Sequence, residues 1–428
     1  MSWTPPTLKL KPQSEIKAAS ALRAILDAER YWPSEILEQP FVLLETTTAP
    51  LLFLTDPQLV KEVLNRNDGT LPRSKLQQRF AGHGTGHENV IVDSGSRSQV
   101  HRRSLAPLFK PQSITEYFPF IQKTIDKVLQ PLADNSVYGQ PYDLGRLSVH
   151  ATFGVIWQIM FGHASVETPP EIVEVLADTL YEAGLSGNLI TTAKAVQYAR
   201  EISMKLRPTQ PLAPLSPFAL NPPAGIALTT QEISDNAQFL ITAGHESTAL
   251  TISWAFYILA NAPSEQDLIA EEIAKVLHNG EITMESLNKM TRLDHLLNET
   301  MRLYPAGIVI NREAVEDTKI DYLDVAAGTQ IAISFYGMHR HRAHWDKPDE
   351  FIPERFNTKV VSSKNSAFMP FSGGRHSCLG ARLAWVEAMY TLASVLKDYT
   401  ISPASTVMPL ARYTLRPNDK LLITVSSR

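Results

Sequence analysis

A mainly α-helical fold with small β-sheets is what this sequence predicts, and three observations carry the prediction. From about Gln99 to Ala262 the pattern is helical, broken by one proline-rich segment. Between Pro223 and Pro263 no proline occurs, which permits a helix of ~31 residues, roughly 45 Å long at 1.5 Å per residue. Strand-like runs are short and lie near the N-terminus, around 310–340 and in the C-terminal tail.

Taken in order, Phe41–Glu45 and Pro50–Leu54 flank a Thr-rich turn and predict a hairpin. A helix follows from Asp56 to about Asn65, then a Gly- and His-containing loop over Ala81–Asn89. Pro208, Pro211, Pro214, Pro217, Pro222 and Pro223 break any helix where they stand. Thr229 with Glu232 three residues later forms a capping box that starts the long helix. Apolar residues surround most of its circumference (Ile233, Leu240, Ile252 and Trp254 among them), so it runs through the core. Helices over Ser264–Leu277 and about Met284–Leu303 come next, with short strands near Lys319–Tyr322, Thr329–Ile333 and Leu421–Val425. A last long helix, about Leu379–Lys397, starts directly after Cys378.

Composition narrows the function. The net charge of −4 gives no basic footprint for nucleic acid. A single cysteine excludes an intrachain disulfide framework. No signal peptide is legible in the first residues, and no run of 18 apolar residues predicts a membrane span, so a soluble cytoplasmic protein is expected.

Three local patterns carry chemistry. In Phe371-Ser-Gly-Gly-Arg-His-Ser-Cys378-Leu-Gly380 the glycines allow a tight turn close to a sulfur. Cys378 stands at a helix N-terminus, where free N–H groups and the dipole favour an anion and lower a thiol pKa. A buried structural cysteine at a Gly-rich turn is the other reading of these residues. Glu299 and Arg302, with Arg355 downstream, supply a carboxylate and two guanidiniums suited to a shared ion cluster. In Ala243-Gly-His-Glu-Ser-Thr248 an acid and alcohols interrupt an apolar helix, beside a Gly244 that costs ~1 kcal/mol relative to Ala and so needs a reason, such as close approach of a ligand. A solvent-facing polar stripe is the alternative. His339, His341 and His344 with Asp346 also offer metal-ligating side chains.

Together these patterns resemble the cytochrome P-450 superfamily, in its soluble bacterial-type form. The ten-residue loop is similar to the family's haem-binding signature at Phe371, Gly374, His376, Cys378 and Gly380. Glu299, Arg302 and Arg355 resemble its structural Glu–Arg–Arg triad, and the segment from Ala243 its oxygen-activating distal helix. The resemblance runs from about Phe41 to the C-terminus. It implies one haem-thiolate catalytic domain over 1–428, with helical parts at about 99–303 and 379–398 and no fused reductase.

The resemblance further implies haem b with Cys378 as the iron ligand. Ala243, Gly244 and Ala384 would lie against the haem, and Arg102 or Arg103, Arg312 and His376 would hold its propionates. Glu246, Ser247 and Thr248 are the candidates for proton delivery. The implied reaction activates O2 with electrons from a ferredoxin-type donor and its reductase, and inserts one oxygen atom into a small organic substrate. Arg97, Arg102, Arg103, Lys110, Arg375 and Arg382 would form the basic docking face. A peroxide-driven peroxygenase and a non-enzymatic haem protein are the rival readings. The pocket would be lined by Phe80–Ile91, Ala306–Ile310 and Tyr413–Leu415. The glycine and proline breaks between Gly162 and Thr229 predict a short-helical lid and an open access channel.

Overall fold

A computed structural model describes residues 3–134, 137–161, 228–277, 280–357, 367–412 and 414–428. Helices α1 to α7 are Ala21–Leu26, Ala28–Tyr31, Pro57–Asn65, Lys75–Thr85, Gly95–Leu105, Pro111–Ala133 and Leu144–Phe161. Helices α8 to α13 are Thr230–Asn261, Pro263–Val276, Met284–Lys289, Thr291–Leu303, Phe335–His339 and Ala381–Asp398. Strands β1 to β6 are Phe41–Leu44, Leu51–Leu54, Tyr142–Asp143, Val309–Glu313, Thr318–Ile320 and Leu323–Val325. Strands β7 to β11 are Gln330–Ser334, Tyr399–Pro403, Pro409–Ala411, Leu415–Pro417 and Leu422–Ser427.

The predicted hairpin forms as β1 and β2, with Phe41 opposite Leu54. Leu51, Leu52, Phe53 and Leu54 are all buried, because β2 is an inner strand of the β1-β2-β7-β4 sheet and pairs in parallel with β7 on its other side. Such a doubly flanked strand reads as a continuous apolar run. The C-terminal tail forms a second sheet, in which β11 lies between β3 and β8.

α8 is the axis of the helical part. Its capping box is complete: Thr229 Oγ1 accepts from Glu232 N at 3.1 Å, and Glu232 Oε2 accepts from Thr229 N at 2.7 Å. Its second half is enclosed, with Ile252, Trp254, Ala255, Phe256, Ile258 and Leu259 fully buried. Trp254 stacks on Tyr304 beyond α11, with ring centroids 3.9 Å apart.

The ion cluster locks α11 to the irregular segment after α12. Glu299 accepts from Arg302 through both oxygens, each at 2.7 Å, and from Arg355 Nε at 3.3 Å. Ile352 N donates to the same carboxylate at 2.9 Å. Arg302 spends its remaining donors on the carbonyls of His339, Pro348 and Glu350. Glu299 and Arg302 have no solvent exposure, so each donor and acceptor needs these partners.

Several boundaries differ from the sequence reading. α4 continues to Thr85 through part of the expected Ala81–Asn89 loop, and ends where Gly86 turns to a φ of +86°. The expected 284–303 helix is two helices that meet at Met290. There the Glu272 carboxylate of α9 caps α11 by accepting from Arg292 N at 2.7 Å and Leu293 N at 3.1 Å, and so favours a fresh helix start. The expectations about a lid and its channel concern residues that, over 162–227, lie outside the described part.

Of the three histidines with metal-ligating side chains, His339 ends α12 and His341 Nδ1 accepts from Ala343 N at 3.2 Å. Buried His339 accepts from Met369 N through Nε2 at 3.0 Å, which requires that nitrogen to be unprotonated. Burial, then the Arg302 guanidinium, pushes the His339 pKa down to about 3.

Two predictions follow from these locks. Glu299→Ala leaves Arg302 buried without its counter-charge and is expected to cost about 3–5 kcal/mol, read as a lowered urea midpoint; an unchanged midpoint would show that the cluster bears no weight. Because the folded His339 pKa lies below that of the unfolded chain, the unfolded state binds one more proton between pH 6.5 and about 3. Stability therefore falls on acidification through that window, by up to ~1.4 kcal/mol per pH unit from this group. His339→Gln should flatten the slope, and an unaltered slope counts against a neutral His339.

Candidate active site

The Cys378 loop is closed on itself and on α3. Cys378 N donates to Phe371 O at 2.9 Å, and Ser377 N to Gly374 O at 3.3 Å. Gly374 is required twice over. Its φ is +64°, and a Cβ there would lie 2.3 Å from the Leu64 carbonyl oxygen. At Gly380 a Cβ would meet, among the described residues, only Phe109 at an ordinary 3.8 Å. Ala384 N bonds back to Gly380 O at 2.9 Å in the first turn of α13.

Cys378 is reached by solvent, although burial still bears most strongly on its thiol. Burial raises the thiol pKa, opposed by the N–H groups of Gly380 and Ala381 and by the charge of Arg102. The sequence led us to expect a lowered thiol pKa from the helix N-terminus. Those donors are present, but burial outweighs them in the protein alone.

Cations gather beside this loop. Arg102 on α5 donates from Nη2 to Ser377 Oγ at 3.1 Å, whereas Arg103 is exposed. Arg312 on β4 is buried and donates to Asn311 O at 2.9 Å; burial lowers its pKa to about 10. Among the described residues neither Arg102 nor Arg312 pairs with a carboxylate.

Arg73 joins this group without having been singled out in the sequence. It is held by the carbonyls of Val90 and Asp93 at 2.7 and 2.8 Å and by Ser98 Oγ at 3.3 Å, and its Nη2 lies 2.8 Å from His376 Nδ1. Burial, then Arg73, Arg312, Arg102 and Arg375, push the His376 pKa down to about 3. Arg102 and Arg312, which pair with no carboxylate among the described residues, fit beside a cofactor that brings its own carboxylates, as the propionates of haem would.

On α8, Ala243 and Ser247 are exposed one turn apart, while Thr248 is buried. They mark an open face on an otherwise enclosed helix. Ser247 Oγ donates to Ala243 O at 3.3 Å. Glu246 turns toward the C-terminal β9–β10 hairpin. Its Oε1 accepts from Thr414 Oγ1 at 2.8 Å and from Arg416 Nε at 3.0 Å and Nη2 at 2.5 Å.

Gly244 has a packing role that the sequence did not show. A Cβ there would stand 3.0 Å from Cγ1 of Ile156 on α7, so the glycine permits close packing of two helices. Neighbouring His245 is buried against Phe153, their rings edge to face at 5.2 Å. The expected pocket segments meet in part: Leu415 N donates to Ala306 O at 3.1 Å. The side chain of Phe80, and Tyr413, lie outside the described part.

The basic face is smaller than expected. Arg97 pairs with Glu232, and Arg102 is turned inward to Ser377. Arg103, Lys110 and Arg375 are exposed, and Arg382 lies over the Trp385 ring at 4.1 Å. No helix among the described residues is long and apolar enough to cross a membrane.

Comparison with known proteins agrees with this geometry. The profile of the Cytochrome P450 family matches residues 37–198 and 192–425. The chain is 27% identical to mouse Cytochrome P450 3A13 over 420 residues, covering 89% of this chain and 83% of that protein. It is 27% identical to a cytokinin hydroxylase of Arabidopsis thaliana over 413 residues, covering 86% and 78%. A helical fold with small sheets, a lone cysteine in a glycine-held loop and a profile match across most of its length lead to one conclusion: this chain belongs to the cytochrome P450 family and is a haem-thiolate monooxygenase that binds haem b.

Proposed function

We propose that Cys378 would hold the haem iron through its thiolate and that the enzyme oxygenates a small organic substrate with electrons from a ferredoxin-type donor in the cytoplasm. The observation that carries the ligand reading is the setting of the chain's single cysteine, with two helix N-terminal N–H groups and the Arg102 charge favouring its anion. Bound haem supplies the activation of O2 and the transfer of one oxygen atom to the substrate. Arg102, Arg312 and Arg73 would hold its propionates, with His376 accepting from Arg73 at the same edge. Phe371, Gly380 and Ala384, on the same loop and the first turn of α13, would lie against the haem. The exposed charges Arg103, Lys110 and Arg375 suit an acidic protein donor.

Ser247 is the hydroxyl that holds a proton at the open face of α8. It can donate and accept at once, and its exposure favours it over buried Thr248. Glu246, one residue earlier, is the acid that exchanges protons with solvent.

With a surrogate ferredoxin and reductase, substrate should drive NAD(P)H consumption and form oxygenated product. Turnover with added peroxide alone would instead support a peroxygenase. In the same assay Ser247→Ala should keep haem and substrate binding but divert reducing equivalents to peroxide, while Thr248→Ala stays coupled. The reverse pattern would transfer the role to Thr248.

A further inference from the structure

Glu246 is held in an unusual way for an acid that must move protons. Among the described residues its hydrogen bonds from protein fall on Oε1, which takes one from Thr414 and two from Arg416. Arg416 Nε also reaches Thr414 Oγ1 at 3.1 Å, which closes a three-membered cluster. Oε2 accepts from no described protein group and remains the atom that can bond water. Both charged side chains are mostly buried, at 15% and 16% exposure, so the pair is shielded from bulk screening.

The hairpin that carries the cation is itself fixed. Trp254 Nε1 on α8 donates to Leu415 O at 2.9 Å, and Leu415 N donates to Ala306 O. The β9–β10 ladder sets Arg416 opposite Leu410. Arg416 therefore does not follow the carboxylate; the carboxylate is brought to a place set by Trp254 and the hairpin.

We propose that Arg416, with Thr414, is a positioning residue that fixes Glu246 through Oε1 so that Oε2 faces the water exchanging protons with Ser247. The proposal rests on Glu246 being the proton-relay acid. Losing Arg416 lets the carboxylate rotate, so that the reaction still receives electrons but receives protons late.

The test uses the holoenzyme with its surrogate electron donors and four variants: Glu246→Gln, Arg416→Gln, Arg416→Lys and the double variant Glu246→Gln/Arg416→Gln. Arg416→Gln should lower product per NAD(P)H several-fold and raise the solvent deuterium isotope effect on turnover. Arg416→Lys should restore part of the coupling, and the double variant should be no worse than Glu246→Gln alone. Independently of turnover, the losses in unfolding midpoint of the two Gln variants should be less than additive when combined.

Additive losses, or wild-type coupling in Arg416→Gln while Glu246→Gln uncouples, would overturn the positioning role and leave the acid in place. Wild-type coupling in Glu246→Gln would instead remove the acid reading beneath it.

Discussion

A helix buried along most of its length obliges every polar side chain on it to find a partner, and much of this structure can be traced from that obligation on α8. Its hydroxyls turn inward: Thr242, Thr251 and Ser253 each bond the carbonyl four residues back. Its other polar residues reach outward and fasten neighbouring segments. Asp235 accepts from His87 N and Glu88 N, and Asn236 accepts from Val90 N, so the turn after α4 is held from α8. Gly86 leaves the room this needs, since a Cβ there would lie 2.3 Å from the Asp235 carboxyl carbon. Further along, Glu246 fastens the C-terminal hairpin and Trp254 fastens the same hairpin again. Segments distant in sequence are thereby arranged around one open face, at Ala243 and Ser247.

Electrostatics at the other wall of the site is a contest between burial and donors. Burial raises the Cys378 thiol and lowers the Arg312 and His376 pKa values, so in each case it penalises the charged form. Protein N–H groups and Arg102 offset part of that cost at the sulfur. Arg102 and Arg312 pair with no carboxylate among the described residues, so an anionic cofactor bound beside them would supply that counter-charge.

What the sequence made legible is what local patterns encode. The capping box at Thr229, the hairpin from Phe41 and the Gly374 turn each depend on residues a few positions apart, and each forms as expected. Glu299 and Arg302 were readable for the same reason, being one turn apart on α11. The parts that escaped are long-range pairings. Arg73 meets His376 across 303 positions, and Glu246 meets Arg416 across 170; no spacing announces either. Gly244 was noticed as costly, but its packing against Ile156 was not legible, because Ile156 belongs to a separate helix. The break at Met290 was missed because its cap comes from Glu272 on α9.

The chemistry of the site turns on one sulfur atom. The most direct measurement is the absorption spectrum of the reduced carbon-monoxide complex, compared between the natural enzyme and Cys378→Ser. A strongly red-shifted Soret band in the natural enzyme, absent from a variant that still retains haem, is the predicted result. The same red-shifted band in Cys378→Ser would mean that the iron is held by another residue, and would contradict the assignment of the site.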